Sequence, residues 1–262
     1  MPRVRLLDRL CSVYPDIERE HLLARILCGE VRVGTECVRD PRTRVEPDAG
    51  VSFVARRYVG RGGIKLEHAI ARFRLPVADA VVLDAGSSTG GFTDCLLQHG
   101  ASLVHAVDVG WNQLDYRLRT DERVRVHERT NIMEIRTLEP APEAAVADLS
   151  FRSLRGAAGH VFSLAGSTWA VYLVKPQFEW RQPPADFNGT VPDERLPEIL
   201  TETLEALEEE GLPLVDVCES PIRGARGNRE FLLLVGENAG HTGARAGRVA
   251  VPDLVTKAIF TS

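Results

Sequence analysis

The sequence predicts an α/β protein: a doubly wound, mostly parallel sheet preceded by a small α+β module. Three observations predict it. From about residue 80, short apolar runs alternate with helical stretches, the rhythm of β-α units. Several of those runs stop at a glycine-rich turn or an ionisable residue, as strands do where such a sheet binds ligands. Residues 1–56 follow another pattern, two short amphipathic helices and then clipped β segments, so they form a separate module.

In that module Leu6, Leu7, Leu10, Cys11 and Tyr14 make one helical stripe, and Leu22, Leu23, Ile26 and Leu27 a second. Strand-like pieces follow at Val31–Val33, Cys37–Val38 and Val51–Val54, parted by turn residues. Residues 57–64 read as a linker, and 65–262 as the large domain. Its expected strands are Ala80–Leu83, Ser102–Val107, Val124–Val126, Ala144–Ala147 and Trp169–Val174, with Leu214–Val217 and Phe231–Val235 closing the sheet. Helices are expected at Phe92–His99 and Leu196–Glu210, and a loop at Gln182–Asn188. The order is that of a Rossmann-like sheet.

The composition is that of a folded globular chain, with 44% hydrophobic and 26% charged residues in 262. A run of about 18 apolar residues, the length that spans a membrane, is absent. The N-terminal residues lack the apolar core of a signal peptide, so a cytoplasmic location is expected. Five cysteines are scattered without C-x-x-C spacing, which argues against a disulfide framework and a zinc site; no metal is expected. The net charge of −5 divides unevenly: residues 1–65 hold 13 basic and 9 acidic side chains. A basic head on an acidic body suits a nucleic-acid-binding appendage. Only three of the 32 basic residues are lysine: Lys65, Lys175 and Lys257. Arginine stays protonated at any relevant pH whereas lysine can lose its proton, so the few lysines mark places where arginine cannot substitute.

The chemistry-bearing residues fall at strand ends. The first strand runs into Asp84-Ala85-Gly86-Ser87-Ser88-Thr89-Gly90-Gly91, whose glycines let the backbone approach a cofactor. The second ends at Asp108, an acid placed to accept hydrogen bonds from ribose hydroxyls of an adenosine cofactor. The loop departs from G-x-G-x-x-G, which favours a methyl donor without phosphates over NAD. The fourth strand ends at Asp148-Leu149-Ser150-Phe151 and the fifth at Lys175-Pro176-Gln177-Phe178-Glu179, so two ionisable groups face one cleft.

Together with Gly60-Arg61-Gly62-Gly63-Ile64-Lys65-Leu66, Ala106-Val107-Asp108-Val109-Gly110, Glu128-Arg129-Thr130-Asn131 and Gly227-Asn228-Arg229-Glu230-Phe231, these stretches carry a resemblance over nearly the whole chain. It resembles the TlyA-type proteins, hemolysin-named 2′-O-ribose methyltransferases of ribosomal RNA, and the wider FtsJ-like group. The first fifty-odd residues look like an RNA-binding module shared with a ribosomal protein and some pseudouridine synthases. The resemblance implies S-adenosylmethionine as cofactor and ribosomal RNA or ribosomal subunits as partner, with cytidine modified and no membrane involved. It implies a catalytic set of Lys65, Asp148, Lys175 and Glu230. It places Asp84, Gly86, Ser88, Gly90, Gly91, Phe92, Asp108, Val109 and Asn131 on the cofactor, and Arg57, Tyr58 and Arg61 on RNA. Relatives often carry tryptophan at the Tyr58 position and FtsJ-like proteins often proline at that of Thr89, while 180–190 is the least similar segment.

That set has a chemical logic. A ribose 2′-hydroxyl is a weak nucleophile near neutral pH, so a base must take its proton as it attacks the methyl group. Lys175 is the expected base, which requires an amine that sheds its proton; Lys65 and the sulfonium favour this, and Asp148 and Glu230 oppose it. A membrane-active cytolysin lacks a strong amphipathic basic helix to act through. A non-catalytic RNA-binding assembly factor has no need of the full Lys-Asp-Lys-Glu set.

Overall fold

The computed structural model describes residues 3–27, 29–53, 57–150, 153–166, 168–236 and 250–260. Val54 and Phe151, singled out above, lie outside the described residues. The chain divides into two compact units, Met1–Arg57 and Tyr58–Ser262.

The first unit holds β1 (Val4–Arg5), α1 (Leu6–Val13), α2 (Arg19–Leu27), β2 (Val31–Val33), β3 (Glu36–Val38), β4 (Arg44–Val45) and β5 (Val51–Phe53). The two apolar stripes meet: Leu6, Leu10, Leu22 and Ile26 are fully buried with Val31 and Val45. A three-stranded antiparallel sheet runs β3-β2-β5. The β1–β4 pairing was not expected, because two-residue strands carry no periodicity to read.

The second unit begins with α3 (Gly62–Phe73), a helix where the sequence reading had a linker running into unassigned residues. β6 (Val81–Ala85), α4 (Gly91–Gln98), β7 (Leu103–Val107), α5 (Tyr116–Arg119) and β8 (Val124–His127) follow, then β9 (Ala144–Ala147), α6 (Ala158–Leu164), β10 (Trp169–Val174) and α7 (Pro176–Glu179). The chain closes with α8 (Leu196–Glu209), β11 (Leu214–Glu219), β12 (Phe231–Gly236) and α9 (Val251–Phe260). Seven strands form one sheet in the order β11-β12-β10-β9-β6-β7-β8. β10, β9, β6, β7 and β8 are parallel, and β12 runs antiparallel to both β10 and β11. The expected mostly parallel, doubly wound sheet is thus present.

Its strands are apolar on both faces because helices cover both. Successive side chains point to opposite faces, so Leu83, Ala145, Tyr172 and Leu233 pack with α8 and α9, while Val82, Val146, Val171 and Leu234 pack with α3 and α4. The order of strands reverses between β6 and β9, which puts the switch point, and the crevice that goes with it, at the carboxyl ends of those two. Among the described residues no helix is long and apolar enough to cross a membrane.

Candidate active site

The crevice is built around the turn after β6. Gly86 (φ +85°) and Gly90 (φ +95°) take left-handed conformations, as does Ser88 (φ +48°). At Gly86 the backbone passes so close to β9's end that a Cβ would lie 2.6 Å from the Asp148 carbonyl oxygen. Gly86 N donates to Val107 O (2.8 Å), and Asp148 N donates to Ala85 O (3.0 Å), so the turn is laced to both neighbouring strands.

Asp108 organises the next strand end. Its Oδ2 accepts from Ser88 N (2.8 Å) and its Oδ1 from Gly110 N (2.6 Å), which fixes the carboxylate beside the turn with lone pairs to spare. Asp84 is fully buried; its Oδ2 accepts from Thr93 Oγ1 (2.6 Å) while Oδ1 has no hydrogen-bond partner. Burial pushes this carboxyl up to about 7, opposed by the Thr93 hydrogen bond. A buried carboxylate oxygen without a partner costs free energy unless a ligand or a proton satisfies it. Val109 is 72% exposed, and Asn131 caps a short 3-10 turn by accepting from Met133 N (3.1 Å). Asp84 and Asn131 thus hold the site's framework with the contacts they make here.

The glycines before Lys65, read as linker, let two helix starts meet. A Cβ on Gly91 would lie 3.0 Å from Gly63 N and 3.2 Å from Gly62 Cα, so α3 packs directly against the cofactor turn. Val59 N donates to Asp94 Oδ2 (2.7 Å) and secures the entry. Tyr58, expected on RNA, is 3% exposed and its ring packs against Gly63. Arg57 is exposed, and Arg61 lines the cleft with its guanidinium on Arg223 O.

The four expected catalytic residues come together as two ion pairs. Lys65 Nζ donates to Glu230 Oε2 at 2.5 Å, both side chains nearly buried. Lys175 Nζ lies 2.5 Å from Asp148 Oδ1, and its directed hydrogen bonds go to Leu149 O (3.1 Å) and Ser150 Oγ (2.9 Å). Antiparallel pairing of Val174 with Phe231 brings Lys175 and Glu230 to the same sheet edge. Lys65 and Asp148 line one cleft with Gly86, Ser88, Gly91 and Phe92. Lys175 and Glu230 reach that cleft through their partners. Asn228, part of the Gly227–Phe231 stretch but given no role from the sequence, is buried; it accepts from Val191 N (2.8 Å) and donates to Gly189 O (2.8 Å), tying the 182–190 loop to the approach of Glu230. Its side-chain bonds span almost forty residues and leave no local signal. Among the described residues no group of three or more His, Cys, Asp or Glu could hold a metal ion.

Residues 58–237 match the FtsJ-like methyltransferase family. The chain belongs to that family. It is 41% identical over 226 residues to YqxC of Bacillus subtilis, named provisionally as an rRNA methyltransferase, covering 82% of this chain and 79% of that one. It is 38% identical over 230 residues to the 16S/23S rRNA (cytidine-2′-O)-methyltransferase TlyA of Mycobacterium tuberculosis, covering 82% and 83%. A solved structure of a hemolysin-named protein from Streptococcus thermophilus superposes with a TM-score of 0.68 at 32% identity, covering 98% of this chain and 96% of that one. The family match lies within the second unit, and the Streptococcus thermophilus structure covers the first as well.

Proposed function

We propose that this FtsJ-like chain is an S-adenosylmethionine-dependent 2′-O-ribose methyltransferase acting on ribosomal RNA, with cytidine as the nucleotide modified. The observation that carries the reading is the pair of lysine–carboxylate contacts, a buried Lys65–Glu230 and a partly buried Lys175–Asp148, beside a glycine turn at the switch point. Buried charges are costly, and two opposed pairs at a ligand crevice are better explained by chemistry than by stability.

The turn fits the cofactor: Gly86 and Gly91 line the crevice without side chains, and the fixed Asp108 carboxylate keeps acceptors for vicinal hydroxyls. S-adenosylmethionine supplies a methyl group on a positively charged sulfur. Lys175 takes the proton of the 2′-hydroxyl at Nζ, held in place by Asp148, Leu149 O and Ser150 Oγ. Glu230 holds Lys65 at the cleft wall, where its ammonium faces the incoming ribose-phosphate chain. The rest is alignment of oxygen, methyl and sulfur.

The test is transfer of labelled methyl from S-adenosylmethionine to purified small and large ribosomal subunits. Wild type should label a ribose; Lys175→Ala and Lys175→Arg should lose about 10²–10⁴-fold in rate at unchanged cofactor affinity. Lys175→Arg matters because arginine keeps the charge and cannot release the proton. No label on either subunit, with cofactor binding intact, would point to another RNA or to a binding role.

A further inference from the structure

The loop from Asp108 to Asp115 carries an exposed aromatic that neither the core nor the two ion pairs use. Trp111 is 63% exposed and Tyr116, at the start of α5, 69%. The Arg129 guanidinium sits over the Trp111 ring, 4.8 Å from its centroid. An exposed Trp and Tyr five residues apart forgo burial of large apolar surfaces, which marks a contact site rather than a packing need.

The loop is held firmly. Gly110 N donates to Asp108 Oδ1 (2.6 Å), Arg129 N to Gly110 O (2.9 Å) and Asp115 N to Thr89 O (3.2 Å). The aromatic is thereby tied to the cofactor turn itself. Arg129 takes a left-handed backbone (φ +53°), uncommon for a side chain of its size. Its charge is uncompensated, since the neighbouring Glu128 carboxylate is taken by Arg119 and Arg129 makes no ion pair among the described residues.

We propose that Trp111, with Arg129 behind it, is a stacking platform for unpaired bases of the substrate RNA. This rests on the reading of the chain as an RNA methyltransferase. An indole offers a π-face to any base, so it holds a strand without demanding a sequence, and the unpaired guanidinium meets a phosphate or extends the stack. Single-stranded RNA is the occupant this chemistry fits, because aromatic face and free cation together match base and backbone. A bare apolar patch would fit a protein partner better.

The experiment pairs two measurements on the full chain. Binding of a short, mixed-sequence, single-stranded oligoribonucleotide is followed by anisotropy, and methyl transfer to ribosomal subunits is measured beside it. Trp111→Ala should weaken oligoribonucleotide binding on the order of tenfold and raise KM for the subunits by a similar factor. Trp111→Phe should restore most of the loss, kcat should hold, and S-adenosylmethionine affinity should be unchanged. Unchanged oligoribonucleotide binding by Trp111→Ala, with wild type binding and methylating, overturns the platform alone. Lost cofactor affinity would make Trp111 a cofactor cover, and lost subunit association with normal oligoribonucleotide binding would make it a protein contact; either overturns it. A wild type that neither binds RNA nor methylates it overturns the reading beneath and the platform with it.

Discussion

Asp84 makes a stability prediction because its folded environment opposes its charge. A carboxyl raised from 3.8 to about 7 binds its proton more tightly folded than unfolded. Its contribution is therefore complete at pH below 3.8 and is lost progressively as pH rises toward 7. Asp84→Asn, which stays neutral, should gain melting temperature relative to wild type as pH rises from about 5 to 8 without cofactor. Melting curves that stay parallel over that range would remove the argument. The same residue illustrates what was readable at this scale. Its place at the head of the glycine turn was evident from the sequence, but its burial and its bond to Thr93 came from the packing of α4. Lys65 and Lys175 stood out as lysines in an arginine-rich chain, whereas their pairing at 2.5 Å to Glu230 and Asp148 did not.

At the scale of elements, the turn after β6 should be the least tolerant segment. Gly86→Ala must hold a left-handed backbone and push against the Asp148 carbonyl, costing about 1–3 kcal/mol and weakening cofactor binding sharply. Gly211→Ala is the control: φ is +88°, yet nothing lies within 4 Å of the added carbon. It should pay the backbone strain in denaturant unfolding and keep full cofactor affinity in calorimetry. Equal loss of affinity in both would mean that the clash at Asp148 is not what matters. The strands were legible because alternate faces bury against two helix layers, producing continuous apolar runs such as Trp169–Val174. α3 was not. Gly62 and Gly63 are poor helix formers, and the helix starts there because only glycine allows α3 to approach Gly91 and Tyr58 so closely.

For the whole molecule, RNA binding should depend steeply on salt. Arg32, Arg39 and Arg42 are exposed in the first unit, as are Arg57 and Arg61 at the start of the second and before it. With roughly four phosphate contacts, affinity should fall about a hundredfold between about 50 and 200 mM salt. Arg32→Ala and Arg42→Ala should each flatten that dependence by about one contact in a titration series. An affinity indifferent to salt would remove the electrostatic role of this basic head.

The class of sheet, the glycine turn, Asp108 at its strand end and the family resemblance are legible in the residues alone. These are local: periodicity, turn chemistry and strand ends are written within a dozen residues. What the tertiary structure decided was long-range. Glu230 joins Lys175 because β12 runs antiparallel to β10, a direction that apolar content cannot encode. Tyr58 is buried because a glycine opposite it leaves room for the ring. Trp111 was unremarked as a sequence residue and became a surface feature only once its loop was tied down and Arg129 was set over it. Side-chain exposure and partners depend on which distant segments meet, and that is fixed only when the sheet order is.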